Sequence, residues 1–375
     1  MPKYSFKIYT SIREITPQWD SFGEDVFLQI PYLTAQELGS PKNMDYFYVG
    51  VFNQNHLLAK FVVQRVRVKG KELFLDSNQF TDELLNLLNL NVLCVGNVKL
   101  SGEHAWEIKP EFPSAVLYEL IPKILEEIRK ISKNQQIPVH LFLIKDFYKP
   151  LANELQAYFN AYEMLSVQPN MLFRKADSWQ NFDDYLAAMR TKYRTRAKRA
   201  FKKADGIIFR ELQIEEIHRL QKKMYELYQN VLHSNRFSLY ILPENFFVSM
   251  KEEMGTKFNV FGGFLEDELI SFYSVIENGN QLEAGFLGYN IAEQQSRQLY
   301  LNMLYQMLEY ALNNGFETVD FSRTALEIKS SVGAEPHEMF GFLKHTNPLM
   351  NRLLKSTFRK FYQPEEWIPR NPFRE

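Results

Sequence analysis

The order of hydrophobic periods along this chain is stated twice, and that repetition limits the fold more than any other feature. In the first half, Asp45 to Phe52 and Leu57 to Lys69 are rich in β-branched and aromatic residues, and the "NQNH" joining them predicts a hairpin. A strand follows around Val92 to Val95. Next comes a helix over about Ser114 to Lys133, with Val116, Leu117, Leu120, Ile124, Leu125, Ile128 and Ile131 at helical spacing. "PVHLFLI" from Pro138 is a short buried strand, Leu151 to Phe159 a helix, and "NMLFRK" from Asn170 a closing strand. The second half runs in the same order. A helix over about Asn181 to Ala204 stops at Asp205-Gly206, and the strand "IIFREL" leads to helices at about Glu215 to Leu232 and Glu244 to Met254. Three strands, "KFNVFGGFLE", "ELISFYSVIEN" and "QLEAGFLGY", are linked by tight turns at Glu266-Asp267 and Gly279-Asn280. A helix over about Gln295 to Asn313 and the strand "ETVDFS" complete the unit.

A tandem α/β (α+β) protein is the reading, each domain a mixed sheet flanked by helices, with residues 1–176 and 177–375 as the domains. No Gly/Ser-rich or Pro-rich linker interrupts the chain near Lys175 to Gln180, so a rigid pair with a cleft is expected. The 375 residues suit about two cores. The single cysteine, Cys94, lies in an apolar run, which excludes a disulfide framework and a cysteine metal site. The seven histidines show no metal-ligand spacing, and neither a P-loop nor a G-x-S-x-G elbow is present. No stretch is long and apolar enough to span a membrane, and a cytoplasmic protein is expected.

Charge is distributed unevenly. Net charge is -1, which argues against a general nucleic-acid binder, yet Met189 to Ala204 holds eight Lys or Arg and no acid. On a helical wheel Phe182, Leu186, Met189, Tyr193, Ala197, Ala200 and Ala204 form one apolar stripe. Lys192, Arg196, Arg199 and Lys203 line another face, with Lys198 beside them. Cations so spaced can follow several successive phosphates of an anionic partner. The bland alternative is a solvated face balanced by acids such as those in "DELLN" and "EEIRK" of the first half. The tail from Asn351, basic with Phe and Trp, allows a weak membrane-surface contact.

Three stretches resemble the GNAT acyltransferase superfamily in its tandem, FemABX-like form, which includes peptidoglycan-biosynthesis relatives. "FDDYLAAMRTKYRTRAKRAFKK" from Phe182 is similar to the entry helix, "GGFLEDELISFYSVIENGNQLEAGFLGYN" from Gly262 to the central meander, and "DFSRTALEIKSSVGAEP" from Asp320 to the closing segment. The resemblance implies an N-acyltransferase. Its donor would be an acyl-CoA or an aminoacyl-tRNA, bound where the meander strands splay, and its acceptor a small-molecule or cell-wall-precursor amine. The helix after "GFLGYN" would offer its N-terminus to phosphate, with Ser296 and Arg297 nearby. The turn there lacks the glycines of acetyl-CoA users and carries Glu293, which favours a donor other than CoA.

Lys329 matches the position of a lysine before a glycine in the closing segment, placed to steady charge on the acyl carbonyl. Glu283 is a carboxylate in an apolar strand, expected on one face with Gly285 and Leu287, opposite Leu282, Ala284 and Phe286; a raised pKa there suits a base. Arg323 has the planar fork for phosphate or carboxylate. Tyr289 and Tyr300 flank the donor helix and are candidates to protonate a leaving group. The contrasting expectation is a catalytically degenerate GNAT scaffold that binds nucleic acid or another anion.

Overall fold

The computed structural model describes residues 4–69, 89–234, 239–353 and 367–373. Among these, one compact unit takes in 4–168, 239–243 and 338–353, and a second takes in 169–234, 244–337 and 367–373.

In the first unit β1 (Tyr4–Tyr9) pairs antiparallel with β2 (Met44–Asn53), with α1 (Ile30–Leu38) between them in sequence. β2 turns at Gln54 and Asn55 into β3 (His56–Lys69), as the hairpin pattern predicts. β4 (Asn89–Val95) joins the far side of β3, and the short β5 (Trp106–Ile108) pairs with the other end of β3. The helix α2 (Ser114–Asn134) carries the chain to β6 (Leu141–Tyr148), which lies parallel to β4. Along α2 the residues Ile121, Ile124, Leu125 and Ile128 are completely buried against the sheet. At roughly 1.5–3 kcal/mol for each fully buried side chain, that stripe fixes the helix in place. α3 (Lys149–Leu155) follows.

The second unit begins within β7 (Glu163–Arg174), at Pro169; Leu172, Phe173 and Arg174 of this strand pair antiparallel with β12. The predicted single basic helix is two: α4 (Phe182–Ala188) and α5 (Thr191–Lys203). The break has a cause distant in sequence. Arg190 N donates to Pro372 O at 2.8 Å and Met189 forms a bridge with Phe373, so both residues take extended backbone. The apolar stripe nevertheless survives, with Phe182, Met189, Ala197 and Ala200 buried in one core. Gly206, at φ 82, takes the left-handed conformation at the stop. β8 (Ile207–Glu211), α6 (Ile214–Ser234) and α7 (Phe246–Met254) precede the meander β9 (Phe258–Leu265), β10 (Glu268–Asn278) and β11 (Gln281–Tyr289).

A second predicted helix is also divided, into α8 (Ile291–Arg297) and α9 (Leu299–Asn313), because Gln298 between them is left-handed at φ 51. The buried side of α9, including Leu301, Leu304, Met307, Leu308, Ala311 and Leu312, is the one its spacing predicts. β12 (Thr318–Asp320) lies parallel to β11, and α10 (Leu326–Ser330) follows. The last strand, β13 (Glu335–His345), pairs antiparallel with β6 through Met339 to His345. Strand order is thus β1-β2-β3-β4-β6-β13 in the first unit and β7-β12-β11-β10-β9-β8 in the second.

Residues Trp367 and Phe373 of the tail pack onto the second core, Phe373 with its ring 4.9 Å from Trp179 and 5.7 Å from Tyr185. The rest of the tail's apolar and basic run, residues 354–366, lies outside the described residues, as does "DELLN".

Candidate functional site

β11 and β12 stay together only briefly. Gln281, Leu282 and Glu283 pair with Thr318, Val319 and Asp320, after which β12 ends and β11 runs on to Tyr289. The chain leaves β12 through three non-glycine residues in the left-handed region, Ser322 (φ 59), Thr324 (φ 66) and Ala325 (φ 48). Each such conformation costs about 1–2 kcal/mol, so something must hold the loop. Asp320 Oδ1 accepts from Ser322 N at 2.6 Å. Lys329 Nζ, on α10, donates to Arg323 O at 2.5 Å and to Ser322 O at 3.4 Å.

These contacts bury a small polar cluster. Asp320 is 1% exposed, Glu283 and Lys329 each 4%. Asn170 Nδ2 donates to Asp320 Oδ2 at 2.5 Å, and Gln281 Nε2 to Glu283 Oε1 at 2.5 Å. Residues directly opposite in a ladder share a face, so Glu283 and Asp320 stand side by side. Burial pulls the Lys329 ammonium down to about 7, while the negative charge of Asp320 acts in the other direction. Lys329 is therefore not the solvent-facing lysine that a short helix suggests; two of its three N–H groups serve backbone carbonyls. Arg323 contributes one of those carbonyls, and its side chain is half-buried.

The faces of β11 differ from the simple alternation expected of it. A register shift between Tyr273 and Val275 of β10 bulges β11 after Ala284. Leu282, Ala284 and Leu287 consequently lie on the α9 side, whereas Phe286 turns to the opposite face. There it meets Tyr228 of α6 at 6.1 Å and Phe246 of α7 at 5.5 Å between ring centroids. Gly288 permits α6 to come close, since a Cβ there would lie 2.5 Å from the backbone of Leu227 and Tyr228.

Tyr289 and Tyr300 form an edge-on pair with centroids 6.5 Å apart, and burial pushes both phenols up. Six residues of strand separate Tyr289 from Glu283, roughly 20 Å at about 3.3 Å per residue. The tyrosines and the Lys329 cluster thus stand at opposite ends of β11. The chain's own side chains take amides at both helix starts: Ala292 N of α8 donates to Asn290 Oδ1 at 2.9 Å, and Tyr300 N of α9 to Gln294 Oε1 at 2.9 Å. Arg297 is engaged by Glu293 at 2.7 Å and by Asp205 O at 3.3 Å, and Ser296 Oγ donates to Glu293 O at 3.1 Å.

α5 borders a cavity of about 550 Å³ lined by Lys192, Tyr193, Arg196, Arg199, Lys203, Gln298 and Arg370. Four of the five proposed cations reach it; Lys198 is exposed and does not. No carboxylate is among its lining residues. Glu126 and Glu127 of "EEIRK" are paired with Arg129 and Lys130 of their own helix, at 2.6 and 2.7 Å. Arg370 ties the cavity to α10: its Nε donates to Glu327 Oε1 at 3.0 Å and its N to Ser330 Oγ at 3.0 Å. Glu327 and Lys329 are two residues apart, about 200° around a helix, so Lys329 faces away from Arg370 and toward Asp320. Among the described residues, no group of three His, Cys, Asp or Glu side chains is placed to hold a metal, and no helix is long and apolar enough to cross a membrane.

A profile of the FemAB-like family, described as peptidoglycan biosynthesis/recognition, matches residues 119–365. The chain belongs to the FemAB-like family. Among solved structures, that of FemX is similar at 11% identity over 88% of this chain and 94% of that one, with a TM-score of 0.54, which establishes a shared fold. A tandem GNAT protein from the clavulanic acid biosynthesis pathway aligns at 11% identity over 92% of this chain and 99% of that one, with a TM-score of 0.49. L-PGS from Bacillus licheniformis aligns at 10% identity over 87% and 95%, with a TM-score of 0.45. No curated protein matches the sequence.

Reading this FemAB-like chain by sequence misses Asp320, Asn170, Gln298 and Arg370. Asp320 carried a signal: a carboxylate in the middle of "ETVDFS", where a short buried strand has no use for one unless it is partnered. Asn170, Gln298 and Arg370 carried none, because each acquires its position from segments distant in the chain.

Proposed function

We propose that the protein transfers an acyl or aminoacyl group from an activated donor to a primary amine, with an aminoacyl-tRNA as donor and an anionic peptidoglycan precursor as acceptor. The observation that carries this reading is the ammonium and two carboxylates buried together where β11 and β12 part, in a FemAB-like chain. Attack by a neutral amine forms the C–N bond and puts negative charge on the carbonyl oxygen. Lys329, with one N–H beyond those given to Ser322 and Arg323, supplies a fixed positive charge at that oxygen. Glu283 takes the proton that the attacking nitrogen releases. Collapse of the adduct breaks the ester C–O bond, and the proton returns to the departing ribose oxygen.

Donor choice follows from the two anion sites. Where a CoA pyrophosphate would need free amides, the start of α8 gives Ala292 N to Asn290 Oδ1 and the start of α9 gives Tyr300 N to Gln294 Oε1. The α5 cavity instead offers five cations to phosphates. Tyr289 and Tyr300, at the far end of β11, then shape the donor channel and take no proton.

A second reading, a scaffold that binds nucleic acid without catalysis, is favoured by one observation: the Lys329 ammonium is bonded to its own loop. Transfer of a radiolabelled amino acid from charged tRNA to an amine-bearing muropeptide nucleotide separates the two. Turnover that disappears in Lys329→Ala while tRNA retention on filters persists is the expected result. Retention without turnover from either charged tRNA or acyl-CoA supports the scaffold.

A further inference from the structure

The helix that carries Lys329, α10, is five residues long, too short to be held by its own hydrogen bonds. Lys329 fastens one side of it to the loop after β12. Residues 367–373 fasten the other side. Arg370 N donates to Ser330 Oγ at 3.0 Å and Arg370 Nε to Glu327 Oε1 at 3.0 Å, with Nη2 bonded to the same oxygen. Three residues on, the Phe373 ring lies over Gly333, where any added Cβ would strike it. Pro372 O accepts from Arg190 N at 2.8 Å, which joins the same segment to the start of α5. The segment is a strap, with α10 under one part of it and the cationic cavity beside another.

Arg370 belongs to both. It lines the cavity with Lys192, Arg196, Arg199 and Lys203, and among the described residues it alone of these five forms an ion pair. Two of its five N–H groups serve Glu327, which leaves three in the guanidinium plane to meet a phosphate. Five positive charges around one space repel, and that repulsion works against Arg370 keeping its place. A phosphate among them reverses the effect and bonds the guanidinium from its other edge, so that Arg370 bridges phosphate and Glu327. Glu327 and Ser330 flank Lys329 in the chain, and fixing them fixes the ammonium on the far side of the helix.

We propose, on the acyl-transfer reading, that Arg370 is a positioning residue: phosphate held in the α5 cavity steadies the strap, and the strap holds α10 with Lys329 in its working place. Hydrogen–deuterium exchange of peptides covering 326–333, with and without deacylated tRNA, tests the link without any turnover. Saturating tRNA is expected to slow exchange there at least about fivefold. Arg370→Lys keeps the cavity's charge and loses the planar bridge, whereas Glu327→Gln keeps Arg370 and cuts the other end. Each is expected to bind tRNA within about threefold of wild type, since the cavity keeps its cations. Each should lose the slowing, and the double variant should do no worse than either alone. In transfer from charged tRNA, both are expected to lower kcat about tenfold with KM changed by less than about threefold. Thermal midpoints should hardly move, because the Arg370 and Glu327 side chains are 32% and 52% exposed. Wild-type exchange that tRNA leaves unchanged or accelerates, or slowing that both variants retain in full, overturns the proposal. Slowing in a protein that transfers nothing keeps the link between cavity and α10 and removes the acyl-transfer reading; transfer without slowing does the opposite.

Discussion

Glu283 and Asp320 stand opposite one another on the last paired rung of β11 and β12, two carboxylates on one face with the Lys329 ammonium close enough for Asp320 to stabilise its charge. Neighbouring buried acids repel unless a cation or hydrogen bonds offset the repulsion. Here Asn170, Gln281, Ser322 N and Lys329 do so.

Lys329→Met tests the cation. If the ammonium steadies the transition state, kcat falls by about 10²–10³-fold, and the wild-type rate falls as pH rises through about 7, where Lys329 loses its proton. The stability difference has its own sign. With the folded pKa near 7 and the ordinary value at 10.5, the unfolded chain holds the proton over that window and the folded one does not. Wild-type stability relative to Lys329→Met therefore rises with pH between those values and is flat below them. Urea midpoints across that range check the slope; a difference that shrinks with pH excludes a buried, readily deprotonated Lys329.

Asp320→Asn removes the charge that holds the Lys329 pKa up. The alkaline limb of the rate profile then moves to lower pH, and stability drops by about 1–3 kcal/mol from the disturbed buried hydrogen bonds. A limb that stays in place shows that Lys329 is not the titrating group.

Arg196→Glu combined with Arg199→Glu places two acids in a cavity lined by cations. Affinity for tRNA is expected to fall at least about tenfold, and the slope of log affinity against log salt to lessen by about 2. Both side chains are on the surface of α5, so the thermal midpoint should hardly move. Unaltered affinity would remove the cavity from the binding surface.

Gly288→Ala pushes a methyl group to 2.5 Å from the α6 backbone, where nothing flexible can yield. Overpacking of this kind costs about 1–3 kcal/mol, read as a lower urea midpoint with no change in the far-ultraviolet spectrum. An unchanged midpoint would mean that α6 and β11 are less closely apposed than 2.5 Å implies.

Much of the fold was legible because its long elements repeat their apolar spacing: the buried stripes of α2 and α9, the β2–β3 hairpin and the three-strand meander all follow from local pattern. What escaped was set at a distance. The helix through Met189 breaks because Pro372 and Phe373 pair with it, and no window of neighbouring residues contains that information. β13 begins with the exposed run Glu335 to Glu338 and holds Gly341, so its alternation is weak until β6 supplies the partner. Within the site, Lys329 and Glu283 could be singled out by residue type, but their adjacency through Asp320 is a matter of strand register. The bulge in β11, which moves Phe286 to the other face, likewise depends on its pairing with β10.

The destination of β13 bears on how such a chain is made. Its pairing with β6 means that the first unit waits for a strand translated long after β6 before its sheet is complete, while β7, produced much earlier than β13, serves β12. A gene fragment ending near residue 176 would leave the edge of β6 bare and prone to adhere to other chains, so neither half is expected to behave as a separable module.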